Sequence, residues 1–220
     1  PLLRRCVNLG VPVVQTYGLT EAASQVATLA PEDALPKLGS AGKPLFGTDL
    51  RIVDPTGSQC SPGDAGEIVV RGPTVTPGYL NRREESARAL RDGWLHTGDI
   101  GYVDEAGYLY VLDRRDDLIV SGGENVYPAQ IEAVLQSHPA IAEAGVYGVA
   151  DARWGQVPVA AVVLRPGLVT TPEALIEHCR AHLAAYKTPA SIVFAEALPR
   201  NAAGKLLRSE LRNAADFSSS

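Results

Sequence analysis

The 220-residue chain has no methionine, three cysteines, four histidines and only 6% aromatic residues. Cys6, Cys60 and Cys179 are odd in number and lack metal-ligand spacing. They read as reduced thiols, which excludes a disulfide framework and a zinc site of the usual spacing. The four histidines read as isolated and offer no metal site. No apolar run approaches the ~18 residues that a membrane-crossing helix needs, so no membrane span is expected. No charged-then-apolar leader suggests secretion, and a cytoplasmic location is expected. The formal net charge is −5 and no Lys/Arg stripe is present, which argues against a nucleic-acid partner. Pro1 to Gly10 reads as a helix ending at Gly10, as though cut from a longer chain. Residues 216–220 read as a frayed tail. The closing residues are not the Ser-Lys-Leu of a peroxisomal address.

What is present is ordinary soluble composition, 45% hydrophobic and 20% charged, enough for one large or two small domains. Residues 39–112 are short apolar or alternating segments split by Gly and Pro. Leu50–Val53, Gly66–Arg71 and Tyr108–Leu112 are expected strands, and Asp54–Gly57 and Asp104–Gly107 expected turns. Together they predict a small β-rich subdomain, a distorted barrel. Arg82–Leu90 reads as a short helix. Beyond about residue 116 the pattern alternates between helix and strand. Helices are expected at about 128–137, from Thr171 to about Leu183, and at Ser209–Ala215. Strands are expected at Ala142–Tyr147, Pro158–Leu164 and Ser191–Phe194. The second of these is nearly all apolar and therefore central. Thr171 is the expected N-cap, with Pro172 at the first helical position. The fold class is α+β, a β-rich part and a compact α+β domain joined by a hinge.

The stretch Asp113–Glu132 joins the two parts. It opens with five charged residues, passes through a short apolar run, breaks at Gly122-Gly123 and re-enters a helix at Pro128. Polar residues can absorb a backbone rotation in water without unmaking a core, so the start can be a hinge. The glycines admit conformations and close approaches that a Cβ forbids. An ordinary strand-to-helix turn has the same pattern. Upstream, Thr20 and Glu21 follow Tyr17-Gly18 at the mouth of an expected helix through Val26. A hydroxyl and a carboxylate there suit phosphate and Mg²⁺, and equally a plain helix start. Asp99, after Gly98, is placed either to accept from two vicinal hydroxyls or to stabilise a turn. Lys205 lies in the small-residue loop Asn201–Lys205, as a ligand-facing cation or a solvated surface lysine.

Four segments in order resemble the adenylate-forming acyl- and aryl-CoA synthetase superfamily. They are Thr16-Tyr-Gly-Leu-Thr-Glu21, Trp94-Leu-His-Thr-Gly-Asp99, the Asp113–Glu132 stretch, and Pro199-Arg-Asn-Ala-Ala-Gly-Lys-Leu206. The superfamily's upstream phosphate loop has no match in these 220 residues, so the likeness is to a C-terminal part only. It implies residues 1–115 as the end of a large AMP-binding domain and 116–215 as a small mobile domain. It also implies ATP, Mg²⁺, coenzyme A and a small carboxylic acid as ligands. Thr20 would contact the α-phosphate, Glu21 the metal, Tyr17 with Gly18 the adenine, Asp99 the ribose diol and Arg114 the same ribose. Asp116 would be the hinge residue and Lys205 the catalytic cation. At about 4 Å and an effective dielectric near 20, one such charge is worth roughly 4 kcal/mol, about 10³-fold in rate. Gly122 and Gly123 would line the pantetheine path. Arg153, Trp154, Tyr186 and Lys187 are candidates for the CoA nucleotide, with Trp154 equally readable as packing. Two finer matches are similar to an aryl-acid CoA-ligase branch serving menaquinone biosynthesis: Thr20–Gln25 continuing to Gly42-Lys-Pro44, and Trp154–Pro158 with Glu124–Pro128.

Overall fold

Gly18 lets the first hairpin turn back on itself. A Cβ there would lie 1.6 Å from the Ser24 carbonyl oxygen, so no other residue fits without parting the strands. In the computed structural model, residues 2–202 and 204–217 are described, and the chain divides into two compact units, Pro1–Arg115 and Asp116–Ser220.

The first unit opens with α1 (Leu2–Asn8), then β1 (Thr16–Leu19), β2 (Ser24–Thr28) and β3 (Lys43–Pro44), a three-stranded antiparallel sheet in that order. The expected helix from Thr20 to Val26 is absent. A single 3₁₀ turn, Thr20–Ala22, is followed by Ala23 and Ser24 at φ +51° and +91°, and the chain then returns as β2. Two successive residues with positive φ cannot continue a right-handed helix. The unit continues with β4 (Asp49–Val53), β5 (Gly66–Arg71), α2 (Arg83–Ala89), β6 (Leu90–Arg91), β7 (Trp94–Val103) and β8 (Leu109–Arg114). These strands form an antiparallel sheet ordered β4-β5-β7-β6, with β8 also paired to β7. Gly42 bridges to Leu109 and ties the two sheets. The sheets curl round one core containing Tyr17, Val26, Ile52, Ile68, Val70 and Leu109. Leu50 and Ile52 of β4 and Ile68 and Val70 of β5 turn into this core, while Glu67 and Val69 on the other face of β5 are buried as well.

The second unit begins in the 3₁₀ turn Arg115–Asp117, which spans the unit boundary, and adds β9 (Ile119–Ser121), β10 (Glu124–Val126) and α3 (Pro128–Ser137). The long hairpin of β11 (Ile141–Asp151) and β12 (Gly155–Leu164) follows, then α4 (Pro172–Arg180), β13 (Ser191–Phe194) and α5 (Arg208–Phe217). β12 lies inside the sheet, antiparallel to β11 and β9 and parallel to β13. Its apolar run is explained by burial on both faces. Ala160 and Val162 meet Ile131, Leu135, Leu175 and Cys179 from α3 and α4. Val159 and Ala161 meet Tyr147, Leu198 and Leu211 on the other face. Thr171 caps α4 by accepting from the Ala174 N–H at 3.3 Å, with Pro172 in the first turn.

Two sequence expectations are corrected here. Asp216 and Phe217 belong to α5 rather than to a tail, while 218–220 lie outside the described residues. The histidines are not isolated: the His178 ring lies 5.2 Å from that of His138 and 4.6 Å from that of His182. Among the described residues no helix is long and apolar enough to cross a membrane.

Candidate active site

Asp99 owes its aim to a bulge in β7. Glu67 pairs with Ile100 and Val69 with His96, leaving Ile68 alone opposite Thr97, Gly98 and Asp99. Such a bulge re-aims the side chain beside it. Gly98 takes φ +72° there, and the Thr97 hydroxyl donates to the Ile68 carbonyl at 2.8 Å while accepting from the Asp99 N–H at 3.1 Å. Asp99 is 9% exposed. Its Oδ2 accepts from the Tyr17 hydroxyl at 2.7 Å, and its Oδ1 lies 3.2 Å from Arg114 Nε. Burial is the main cause that pushes the Tyr17 phenol above its ordinary pKa. A hydrogen bond with Thr97 offsets part of this, and the Asp99 charge adds to it. Tyr17 therefore stays protonated and donating. Its ring is only 8% exposed and packs into the core of the first unit.

Glu21 is tied to this group through Tyr79, on which both Glu21 and Arg114 act. Its Oε1 accepts from the Tyr79 hydroxyl at 2.9 Å, and its carbonyl accepts from the Thr76 N–H at 2.8 Å. Burial raises the Tyr79 pKa first, and Glu21 raises it further by hydrogen bond and charge. Arg114 acts in the opposite sense on both Tyr17 and Tyr79, so one guanidinium serves both tyrosines. Thr20 and Gly18 are exposed beside them. The structure thus brings together Tyr17, Thr20, Glu21, Asp99 and Arg114, and adds Tyr79. Nothing in the sequence marked Tyr79 beyond the Pro77-Gly78 break before it. Thr20 and Glu21 offer hard oxygen donors of the kind Mg²⁺ takes, usually one or two carboxylates completed by phosphate and water. Among the described residues no group of three or more His, Cys, Asp or Glu could hold a metal alone. Glu21 would therefore need nucleotide phosphates to complete a coordination shell, and with them it fits.

The second unit carries two further candidate surfaces. Trp154 covers Gly122: a Cβ on Gly122 would lie 2.8 Å from the indole Cε3, and the Gly122 N–H donates to the Trp154 carbonyl at 2.8 Å. Gly122 and Gly123 take φ +59° and +88°, which suits glycine alone without strain. Next to them a cavity of about 400 Å³ is walled by Ser121, Trp154, Val157, Pro158, Tyr186 and Thr188. Thr188 Oγ1 is buried there and has no hydrogen-bond partner among the described residues. Arg153 lies 4.6 Å over the Trp154 ring, and Lys187 Nζ donates to Gln130 Oε1 at 2.8 Å. Trp154 and Tyr186 thus line the cavity, with Arg153 and Lys187 flanking it.

Lys205 is exposed on a tight loop. Its N–H donates to Asn201 Oδ1 at 2.9 Å, and its carbonyl accepts from the Asn201 N–H at 2.9 Å. Arg200 fixes the loop to β11 through Glu143 Oε2 at 2.6 Å and holds the Gly204 carbonyl at 2.7 Å. Ala203 lies outside the described residues. Immediately after the loop, Arg208 donates to both Glu132 oxygens at 2.9 Å and to Asp117 Oδ2 at 3.0 Å. Glu132 also accepts from the Val146 N–H at 2.9 Å. The start of α5 is thereby fastened to α3, to β11 and to the residue after Asp116. Glu143, which anchors the Lys205 loop, pairs with Val163 at one end of β12, whereas Trp154 precedes Gly155 at the other end. At about 3.3 Å per residue those ends are roughly 25 Å apart.

These features define the class. Residues 1–80 match the AMP-binding enzyme family and residues 130–205 match the AMP-binding enzyme C-terminal domain, and the chain belongs to the AMP-binding enzyme family. The chain is 61% identical over 212 residues to the 2-succinylbenzoate–CoA ligase of Geobacillus sp. (strain WCH70). It superposes on the o-succinylbenzoate–CoA synthetase of Bacillus subtilis in complex with its acyl-adenylate intermediate with a TM-score of 0.92 at 51% identity. On the same enzyme in complex with ATP and magnesium ion the TM-score is 0.90. In each case 96% of this chain is covered, and the chain spans 43% of the relative's length.

Proposed function

We propose that these residues form the C-terminal portion of an ATP-dependent acid–CoA ligase that activates 2-succinylbenzoate in menaquinone biosynthesis, in the cytoplasm. The observation that carries the reading is 61% identity across 96% of the chain to a ligase of that name. The site chemistry agrees with it. Asp99, oriented by Tyr17 and Arg114, would accept from the ribose diol, with Tyr17 and Gly18 bordering the adenine. Thr20 would donate to the α-phosphate, and Glu21 would hold Mg²⁺, which would neutralise phosphate charge during attack.

In the first step the substrate carboxylate attacks the α-phosphorus and pyrophosphate leaves. Lys205 would stabilise the charge that develops, a fixed cation being most effective where charge appears in the transition state. In the second step the CoA thiol attacks the acyl carbonyl, AMP leaves and the thiol proton passes to solvent. Gly122 and Gly123 would line the path of the pantetheine arm, with Trp154, Tyr186, Arg153 and Lys187 near the CoA nucleotide. Lys205 and the Gly122–Trp154 surface lie at opposite ends of the β11–β12 hairpin, so one unit has two faces for two steps. Rotation at Asp116, the first residue of the second unit, would exchange them.

Acid-dependent ATP–pyrophosphate exchange by the full-length enzyme across a panel of carboxylic acids tests the reading. A single strong preference for 2-succinylbenzoate is expected. Preference for benzoates or fatty acids would retain the chemistry and discard the substrate. No exchange with any acid would leave a nucleotide- or CoA-binding module.

A further inference from the structure

A second carboxylate stands behind Asp99. Glu67, on β5, is 7% exposed, and no apolar requirement of the sheet explains a charge there. Burying a carboxylate costs several kcal/mol unless its partners compensate. Its partners come from three places. Oε2 lies 3.1 Å from His96 Nδ1 on β7, 3.5 Å from Arg115 Nη1 after β8, and 4.0 Å from Arg91 Nη2 on β6. Oε1 accepts from the Gly98 N–H at 3.3 Å. Gly98 is the centre of the bulge that aims Asp99, and its N–H is turned out of the regular ladder. Thr97 holds the bulge from the Ile68 side, and Glu67 holds it from the other.

We propose that Glu67 is a positioning residue for nucleotide binding: it fixes the Gly98 bulge and thereby the aim of Asp99. His96, Arg91 and Arg115 hold the carboxylate in place while one of its oxygens grips the Gly98 amide. This rests on the assignment of Asp99 to the ribose diol. A residue that only stabilised the sheet would affect every nucleotide alike, whereas one that aims Asp99 affects only nucleotides that present the diol.

The experiment measures KM and kcat for ATP and for 2′,3′-dideoxy-ATP in pyrophosphate exchange, using the full-length enzyme and its Glu67→Gln and Asp99→Asn variants. Glu67→Gln is expected to raise the KM for ATP about tenfold, the size of one mis-set charge-assisted hydrogen bond. Its kcat should change less than about threefold, and its KM for the dideoxy nucleotide should stay at the wild-type value. Equal effects on both nucleotides, or none on either, would overturn the proposal while leaving the ribose assignment intact. If Asp99→Asn keeps the wild-type preference for ATP over the dideoxy nucleotide, the ribose assignment fails and the proposal with it. Should Glu67→Gln not fold, Glu67→Met, which removes the buried charge at similar volume, takes its place with the same expectations.

Discussion

The Tyr17 hydroxyl reaches across 82 positions of sequence to donate to Asp99 Oδ2 at 2.7 Å. Removing it in Tyr17→Phe leaves Asp99 with Arg114 but deprives a buried carboxylate of one donor. The expected stability cost is about 1–2 kcal/mol, with a several-fold rise in the KM for ATP. The same contact has a pH signature. Burial, and then Asp99, hold the folded pKa of Tyr17 above the ordinary 10.0. The folded state therefore keeps its proton where the unfolded chain loses it, and Tyr17 contributes stability that is complete below pH 10 and declines above it. Denaturant unfolding from pH 8 to 11 should show a shallower alkaline loss in Tyr17→Phe than in the wild type. Parallel curves would remove the contact from the account.

Gly122→Ala places a methyl 2.8 Å from the Trp154 ring at a φ of +59°. Displacing the indole and straining the backbone is expected to cost about 2–3 kcal/mol together. Thioester formation should fall much more than adenylation. Gly123→Ala meets no atom within 4 Å, though its φ is +88°, so it should lose only the backbone part, about 1–2 kcal/mol. Thermal unfolding and the two half-reactions, measured on both variants, check the order.

Arg208→Ala leaves Glu132 and Asp117 facing an empty volume. Arg208 and Glu132 side chains are only 12% and 13% exposed, and breaking such a pair costs about 3 kcal/mol. Arg208→Lys should recover only part of this, because one ammonium cannot reach Glu132 and Asp117 together as Nη2 and Nη1 of the guanidinium do. Chemical denaturation distinguishes them, and full recovery by Lys would show that charge alone matters.

Cys179 is wholly buried against α3 and the sheet, and burial pushes its thiol up to about 11. The thiolate is the reactive form. Alkylation at pH 8 followed by peptide mapping should label Cys6 well before Cys179, and Cys179 should react only once the unit unfolds.

Much of the second unit was legible because local signals agreed with tertiary structure. The apolar run of β12 implied a strand covered on both faces, and Thr171-Pro172 marked the start of α4. The first unit was less legible where contacts are non-local. Thr20-Glu-Ala-Ala-Ser24 reads locally as a helix start, but the approach of Ser24 to Gly18 turns it into a hairpin. His96, Thr97 and Gly98 interrupt the apolar pattern of β7, so a ten-residue strand was hidden by the bulge that aims Asp99. Tyr79 lies 58 positions from Glu21, and no short-range pattern links them. The histidine cluster was half visible, since His178 and His182 are one helical turn apart, whereas His138 joins them only through the packing of α3 on α4. The residues Tyr17, Glu21, Asp99, Arg114 and Lys205 were singled out as candidates by their segments, and the contacts that orient them became visible only in three dimensions.

The most direct test of a two-step ligase with two faces on one unit is Lys205→Ala in the full-length enzyme, assayed separately for adenylation and for thioester formation from preformed acyl-adenylate. A fall of about 10³-fold in adenylation, with thioester formation nearly unchanged, is the predicted result. Equal losses in both half-reactions would contradict it.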